Sequence, residues 1–176
     1  TIGDLMNYLI NRDEPQHLIY FFCHHKKSDG KYTRIGTIDF ADSSIFYNAT
    51  TNTGLSIDTL RSTEDIKKFE NSPVIFLNAC GSSQGEVGNY APFMAYFINE
   101  LDAWAFIGTE AEIPSKFADF FSRQFIEQFL EGKSIGRILY NLNYHFVKNH
   151  NNPFVLYYSL FGNGDVCLNS PVERIG

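Results

Sequence analysis

The stretch "VIFLNACGSS", residues 74–83, is a run of apolar residues that ends in a cysteine followed by a Gly-Ser-Ser turn. Short, nearly continuous apolar runs are typical of strands that are buried on both faces of a parallel sheet. Similar runs occur at residues 18–22, 103–108 and 154–161. The sequence therefore predicts an α/β fold with a mostly parallel central sheet, in which Cys80 lies at the end of a strand.

Helical patterns alternate with these runs. Residues 114–132 place apolar side chains on one stripe between Pro114 and Gly132, and residues 134–149 carry a second amphipathic pattern. Shorter helices are predicted at residues 3–11, 63–70 and 92–101. Helices are therefore expected to cover both faces of the sheet.

The size of the chain fits one domain. Its 176 residues are 44% hydrophobic, enough for a single core, so residues 1–176 are assigned to one domain. Residues 31–48 predict antiparallel strands, and residues 48–54 predict an exposed loop. The helix at residues 3–11 has no strand before it, although a βαβ crossover needs one. We therefore expect the chain to begin in mid-fold, with an upstream or partner chain completing the sheet beside residues 18–22.

The composition disfavours several kinds of partner. The formal net charge is −6 and the pI is about 5.3, so no basic face is available for nucleic acid. No apolar run approaches the ~20 residues that span a bilayer, and the N-terminus lacks the basic start of a signal peptide. A cytoplasmic location is expected. The odd number and wide spacing of Cys23, Cys80 and Cys167 argue against a disulfide scaffold.

In an open α/β sheet, the functional residues usually lie at the carboxyl edge, where strands end and loops begin. Cys80 follows one strand there, and Cys23, His24 and His25 follow another. A thiol beside an imidazole becomes a nucleophile, and the small residues after Cys80 leave room for a substrate. A lone cysteine at a strand end is more often a packing residue. Here a histidine and a cysteine each lie at the end of a predicted buried strand, and this combination favours catalysis by His24 and Cys80.

Other roles for these side chains are less favoured. A metal site built from all four of Cys23, His24, His25 and Cys80 is unfavourable, because adjacent strand residues face opposite ways and cannot converge. Cys23 and Cys167, the latter on a predicted edge strand, are assigned to packing. The site is expected to need no metal and no cofactor.

Five stretches carry a resemblance to a known family: "HLIYFFCHH" (17–25), "VIFLNACGSS" (74–83), "AWAFIGTEAEIPSKFADFF" (103–121), "FLEGKSIGRILYNL" (129–142) and "NPFVLYYSLFGNGDVCL" (152–168). Together they resemble a CHAT domain, one of the caspase-like (clan CD) cysteine peptidases common in bacterial multidomain proteins. The resemblance implies a caspase-hemoglobinase-like α/β/α sandwich, a dyad of His24 and Cys80, and a strand upstream of Thr1.

The resemblance also implies the surroundings of the dyad, with two departures. Backbone N–H groups of His25 and Cys80 would form the oxyanion hole, although family members usually carry Gly at the position of His25. Caspases carry Gln and Arg at the positions of Asn78 and Gly81, so this chain gives no support for selection of an acidic residue before the cleaved bond. Asn78 is nevertheless expected to contact the substrate.

The function predicted from these features is a cysteine endopeptidase that cleaves a protein or peptide substrate. The chain would be the effector module of a larger regulated bacterial protein, such as a defence protein. The alternative is a catalytically inactive caspase-like scaffold that mediates protein–protein interaction, which His25 in place of Gly favours.

Two carboxylates are predicted to line the pocket for the residue before the cleaved bond. "GTEAEIP" (108–114) leaves the third strand at the same edge as Cys80, so Glu110 or Glu112 can reach that pocket. A partly desolvated carboxylate selects Arg or Lys, because a charged partner offsets the cost of its burial. Glu112 better fits the N-terminus of the following helix, which leaves Glu110 as the preferred selector. An apolar pocket is the competing outcome.

Overall fold

A computed structural model describes residues 7–11, 16–26, 37–39, 54–55, 57–81, 91–111 and 113–169. Residues 23–26, 37–39, 54–55, 59, 79–81 and 91–92 are described by their backbone alone. The described residues form a six-stranded sheet of β1 (Leu18–Lys26), β2 (Thr37–Asp39), β3 (Gly54–Leu55), β4 (Val74–Gly81), β5 (Ala105–Thr109) and β6 (Tyr158–Gly162).

The strand order in the sheet is β3-β2-β1-β4-β5-β6. The three central strands β1, β4 and β5 are parallel to one another, as the apolar runs predicted. β2 pairs antiparallel with β1, β3 with β2, and β6 with β5. The parallel strands consequently present their carboxyl ends at one edge, and β6 begins at that same edge.

Helices pack on both faces of the sheet. They are α1 (described over residues 7–10), α2 (Ile57–Ser62), α3 (Ala91–Ala95), α4 (Ser115–Leu130) and α5 (Ile135–His150). A π-helical turn, Tyr96–Glu100, continues α3, and a short 3-10 helix, Pro153–Tyr157, precedes β6.

The sheet separates two hydrophobic clusters. Alternate residues of β4 enter opposite layers: Ile75 and Leu77 pack with α1, α2 and α3, whereas Val74 and Phe76 pack with α4 and α5. Both layers are closely filled by aromatic rings, among them Phe97 on one side and Phe121 on the other. The molecule is therefore an α/β/α sandwich with a mostly parallel centre, which confirms the predicted fold class.

The two long helices agree with their sequence patterns. α4 buries Phe121, Phe125 and Phe129 at a spacing of four residues, which is the spacing of one helix face. α5 buries its own apolar stripe and ends at Asn151, whose left-handed φ of 47° is typical of a C-terminal cap. These helices form the layer that lies beneath the end of β4.

One predicted helix is displaced along the chain. Residues 63–70 do not form a helix; the helical turn precedes them, at Ile57–Ser62. The reason is burial, because Ile57 and Leu60 are fully buried whereas most side chains of residues 64–68 are polar and exposed. Phe69 is held instead by its backbone N–H, which donates to the carbonyl of Leu101 over 2.8 Å.

The last predicted strand is shorter than residues 154–161 and runs antiparallel to β5. Its first half is the 3-10 helix, which Pro153 and the side chain of Asn152 start; Asn152 Oδ1 accepts from the Phe154 N–H over 3.0 Å. Val155 is buried whereas Leu156 and Tyr157 are exposed. Cys167 lies beyond β6 in irregular structure and is exposed, so its predicted packing role on an edge strand is wrong.

Several other predictions concern segments of which the structure describes only a part. Residues 7–10 of the first predicted helix are helical, and β2 and β3 are antiparallel as expected for the region between the first strand and Ser62. The predicted loop at residues 48–54 lies outside the described residues except for Gly54. The expected strand from an upstream or partner chain stays a prediction.

Gly162 at the end of β6 gives a test of the sheet. Its φ is +95°, and an added Cβ would lie 2.4 Å from the carbonyl oxygen of Trp104, the residue immediately before β5. We expect Gly162→Ala to destabilise the fold by about 2 kcal/mol or more, measured by urea unfolding, because strain and overpacking add.

The matched control is Gly164→Ala. The Cβ there would meet Leu160 Cδ2 at 3.4 Å, an ordinary contact with a flexible side chain. Its effect should stay below about 1 kcal/mol. Equal stability losses for the two variants would contradict the described packing of β6 against β5.

Candidate active site at the carboxyl edge

The two strands that carry the predicted dyad are neighbours in the sheet. β1 and β4 are parallel, and their register pairs His24 with Cys80 and His25 with Gly81. β1 extends to Lys26, past the predicted end at residue 22, so His24 lies inside the ladder. The backbone thus brings the two sequence positions to the same level of adjacent strands, at the carboxyl edge. The catalytic assignment of these residues, and of the backbone N–H groups of His25 and Cys80, stays a prediction.

Asn78 lies two residues before Cys80 on β4 and is fully buried. Its Nδ2 donates to the hydroxyl of Tyr20 over 3.1 Å and to the carbonyl oxygen of Ala118 over 2.9 Å. Its Oδ1 accepts from the hydroxyl of Tyr158 over 3.0 Å. The amide therefore joins β1, β4, α4 and β6 beneath the carboxyl edge, while its predicted contact with substrate stays a prediction.

Glu110 is placed directly after β5, at the same edge as the carboxyl end of β4. Its backbone N–H donates to the carbonyl of Tyr157 over 2.8 Å, and its carboxylate accepts a hydrogen bond from the hydroxyl of Ser159. Glu110 is partly buried. These contacts fix one carboxylate near the strand ends, whereas Glu112 lies outside the described residues.

Apolar side chains are exposed around this edge. Phe22, which pairs in register with Asn78, is 45% exposed. Leu156 and Tyr157 are also exposed, immediately before Tyr158, which pairs with the last residue of β5. The edge therefore combines a partly buried carboxylate with exposed apolar surface.

Clusters of metal-ligating side chains and membrane-spanning helices are absent from the described part of the chain. Among those residues, no group of three or more His, Cys, Asp or Glu side chains is placed to hold a metal ion. Of the helices that the structure describes, none has both the length and the apolar character needed to cross a membrane.

Comparison with known proteins identifies a distant relative of the chain. No family model matches the chain. A protein of Vitiosangium sp. (strain GDMCC 1.1324) named "Probable protease" is 26% identical over 156 residues, which cover 85% of this chain. The chain spans only 19% of the length of that relative.

Sequence reasoning missed three polar side chains at this edge: Tyr20, Tyr158 and Ser159. Both tyrosines stand within apolar runs, where they resemble ordinary core residues. Their position next to Asn78 depends on the order β1-β4-β5-β6, since Asn78 and Tyr158 are 80 residues apart in sequence. The signal in the sequence that could have found them is the presence of tyrosines within apolar runs, because a tyrosine hydroxyl that is buried usually has a hydrogen-bond partner.

Proposed function

We propose that this chain is a cysteine endopeptidase domain in which His24 and Cys80 form the catalytic dyad. The observation that carries the proposal is the parallel register that pairs these two residues at the carboxyl ends of β1 and β4. Neighbouring strands lie about 4.8 Å apart, and residues paired across them belong to the same face, so an imidazole and a thiol can meet there. The similarity to a protein named "Probable protease" supports the reaction class.

In the proposed mechanism, His24 removes the proton of the Cys80 thiol, and the thiolate attacks the carbonyl carbon of a peptide bond. Backbone N–H groups of Cys80 and His25 stabilise the oxyanion. His24 then gives the proton to the leaving amine, and a water molecule hydrolyses the thioester. The steps use side chains and backbone of this chain and no cofactor.

We further propose that the domain is of the CHAT type and serves as the effector module of a larger bacterial protein. The five stretches that resemble the family run through most of the chain. The relative from Vitiosangium is several times longer than the matched segment, which supports a modular arrangement. Other parts of such a protein would sense the activating signal.

The substrate specificity that we propose is Arg or Lys before the cleaved bond, selected by Glu110. The hydrogen bond from Ser159 orients the carboxylate, and the Glu110–Tyr157 backbone contact fixes the loop that carries it. A charged hydrogen bond to a guanidinium or ammonium group is stronger than a neutral one. The exposed Phe22, Leu156 and Tyr157 would contact neighbouring positions of the peptide.

The proposed function is tested by digestion of a peptide library at neutral pH, with new termini identified by mass spectrometry. We expect cleavage that stops after alkylation of the protein with iodoacetamide. A caspase-like scaffold without activity is the second candidate, which His25 in place of the family's Gly favours. That candidate predicts no new termini, and no labelling of Cys80 by a peptidyl electrophile.

The neighbouring cysteine provides a separate prediction. β1 pairs Cys23 with Ala79, one step away from the His24–Cys80 pair. We expect Cys23→Ala to cost about 1 kcal/mol of stability by loss of packing, with turnover within about twofold of the wild type. Chemical denaturation and the peptide assay measure the two effects. A loss of turnover comparable with that of Cys80→Ala would reassign the nucleophile.

A further inference from the structure

Asn78 has a hydrogen-bonding pattern that only an amide satisfies. Its two N–H groups donate to Tyr20 and to Ala118, and its oxygen accepts from Tyr158. The carbonyl oxygen of Ala118 can only accept, so the NH₂ group must face it. An aspartate would place an oxygen against that carbonyl, and an apolar residue would leave the two hydroxyls and the carbonyl without this partner.

The partners of this amide belong to the elements that carry the proposed site. Tyr20 is on β1, four residues before His24, and Asn78 is on β4, two residues before Cys80. Tyr158 opens β6 and pairs with Thr109, which is followed by Glu110. The Asn78 amide thus links the histidine strand, the cysteine strand and the strand beside the proposed selector.

Aromatic packing holds the two hydroxyls in place. The ring of Tyr158 stacks on Phe121 of α4, with centroids 3.8 Å apart and planes at 11°. Phe76 lies between the two tyrosines, with centroids 5.2 Å from Tyr20 and 6.0 Å from Tyr158. Close ring packing of this kind restricts movement of the two hydroxyls relative to the amide.

We infer that Asn78 is a positioning residue. Together with the Tyr20 and Tyr158 hydroxyls it fixes the position of β4 relative to β1 and thereby sets the distance between His24 and Cys80. This inference rests on the proposed dyad. An error of about 1 Å in such a geometry can cost about 100-fold in rate. Loss of the network is therefore expected to lower kcat and to leave KM almost unchanged.

The variants that test this inference are Tyr20→Phe, Tyr158→Phe and the double variant, which remove hydroxyls and keep the rings. We expect kcat of the double variant to fall about 10-fold, with KM within about twofold. Asn78→Asp, which keeps the size of the side chain, should give a larger fall. Because that variant can also fail to fold, the tyrosine variants decide.

Tyr96→Phe is the matched control. The Tyr96 hydroxyl donates to the carbonyl of Leu60 over 3.4 Å, and the ring lies in the hydrophobic cluster on the opposite face of the sheet. It should lower the melting temperature as the other tyrosine variants do and leave kcat unchanged. If the double variant keeps wild-type kcat, or if its kcat and KM change as those of Tyr96→Phe do, the network is structural only and the inference is wrong.

Cys80→Ala in the same assay separates this inference from the proposed function. If Cys80→Ala retains turnover, the proposed function fails, whatever the tyrosine variants do. If Cys80→Ala is inactive and the double variant has wild-type kcat, the dyad stands and the positioning role is rejected.

Discussion

Replacing Cys80 by Ala is expected to lower kcat/KM for a cleavable peptide by at least about 1000-fold, because the covalent step loses its nucleophile. Turnover is measured by release of a fluorescent group from a short peptide. The melting temperature of the variant should stay close to that of the wild type, since only one sulfur atom is removed at the end of β4.

Cys167→Ser is the matched control for this variant. Cys167 is an exposed free cysteine beyond β6, and its replacement should leave turnover unchanged. His24→Ala should lower turnover about 100-fold to 10,000-fold through loss of acid–base catalysis. Turnover by Cys80→Ala, in a protein free of contaminating peptidase, would contradict the proposed chemistry.

Replacing Glu110 by Gln is expected to change specificity about 10-fold to 100-fold, because a charge-assisted hydrogen bond to Arg or Lys becomes a neutral one. The change is measured as the ratio of kcat/KM for peptides that differ only before the cleaved bond, with Arg or Lys compared with Leu or Met. Turnover of the apolar peptides should stay within about twofold of the wild type.

Glu127→Gln on α4 serves as the control, since Glu127 is an exposed carboxylate that contacts Gln124 on the same helix. It removes the same charge at a distance from the β5 loop and should not alter the ratio. A wild-type preference for Leu or Met that Glu110→Gln leaves unchanged would exclude Glu110 as the selector and favour an apolar pocket.

The fold class followed from the sequence because strands buried on both faces carry a strong and local signal. The runs that contain Phe76 and Phe106 are apolar at consecutive positions, and these positions turned out to be fully buried in a parallel sheet. α4 and α5 were equally clear, since their apolar stripes extend over 16 residues each.

Short elements were harder to predict because their conformation depends on distant partners. Ile57–Ser62 forms a helical turn because two of its side chains, Ile57 and Leu60, are buried in the core. The following residues have a helical sequence pattern, but burial of these two side chains outweighs that local preference. β6 likewise pairs antiparallel with β5, so that Tyr158 lies beside Thr109. Neither contact has a signature within a local window of sequence.

In the proposed site, too, one part could be predicted from the sequence and another could not. The positions of His24 and Cys80 were accessible from strand ends, and the register of β1 and β4 places them at one level. The network below them was not, because Tyr20, Asn78 and Tyr158 come from three separate strands. Burial of an asparagine with all its hydrogen bonds internal becomes visible only when those strands are brought together.

The central claim, that His24 activates Cys80, is tested most directly by the rate at which Cys80 reacts with iodoacetamide at about pH 7, followed by peptide mass spectrometry. Exposed Cys167 is the internal reference thiol, and His145→Ala, at an exposed histidine on α5, is the control variant. We predict that Cys80 reacts at least about 10-fold faster than Cys167, and that His24→Ala but not His145→Ala removes this advantage. Equal rates for Cys80 in the wild type and in His24→Ala would contradict the dyad.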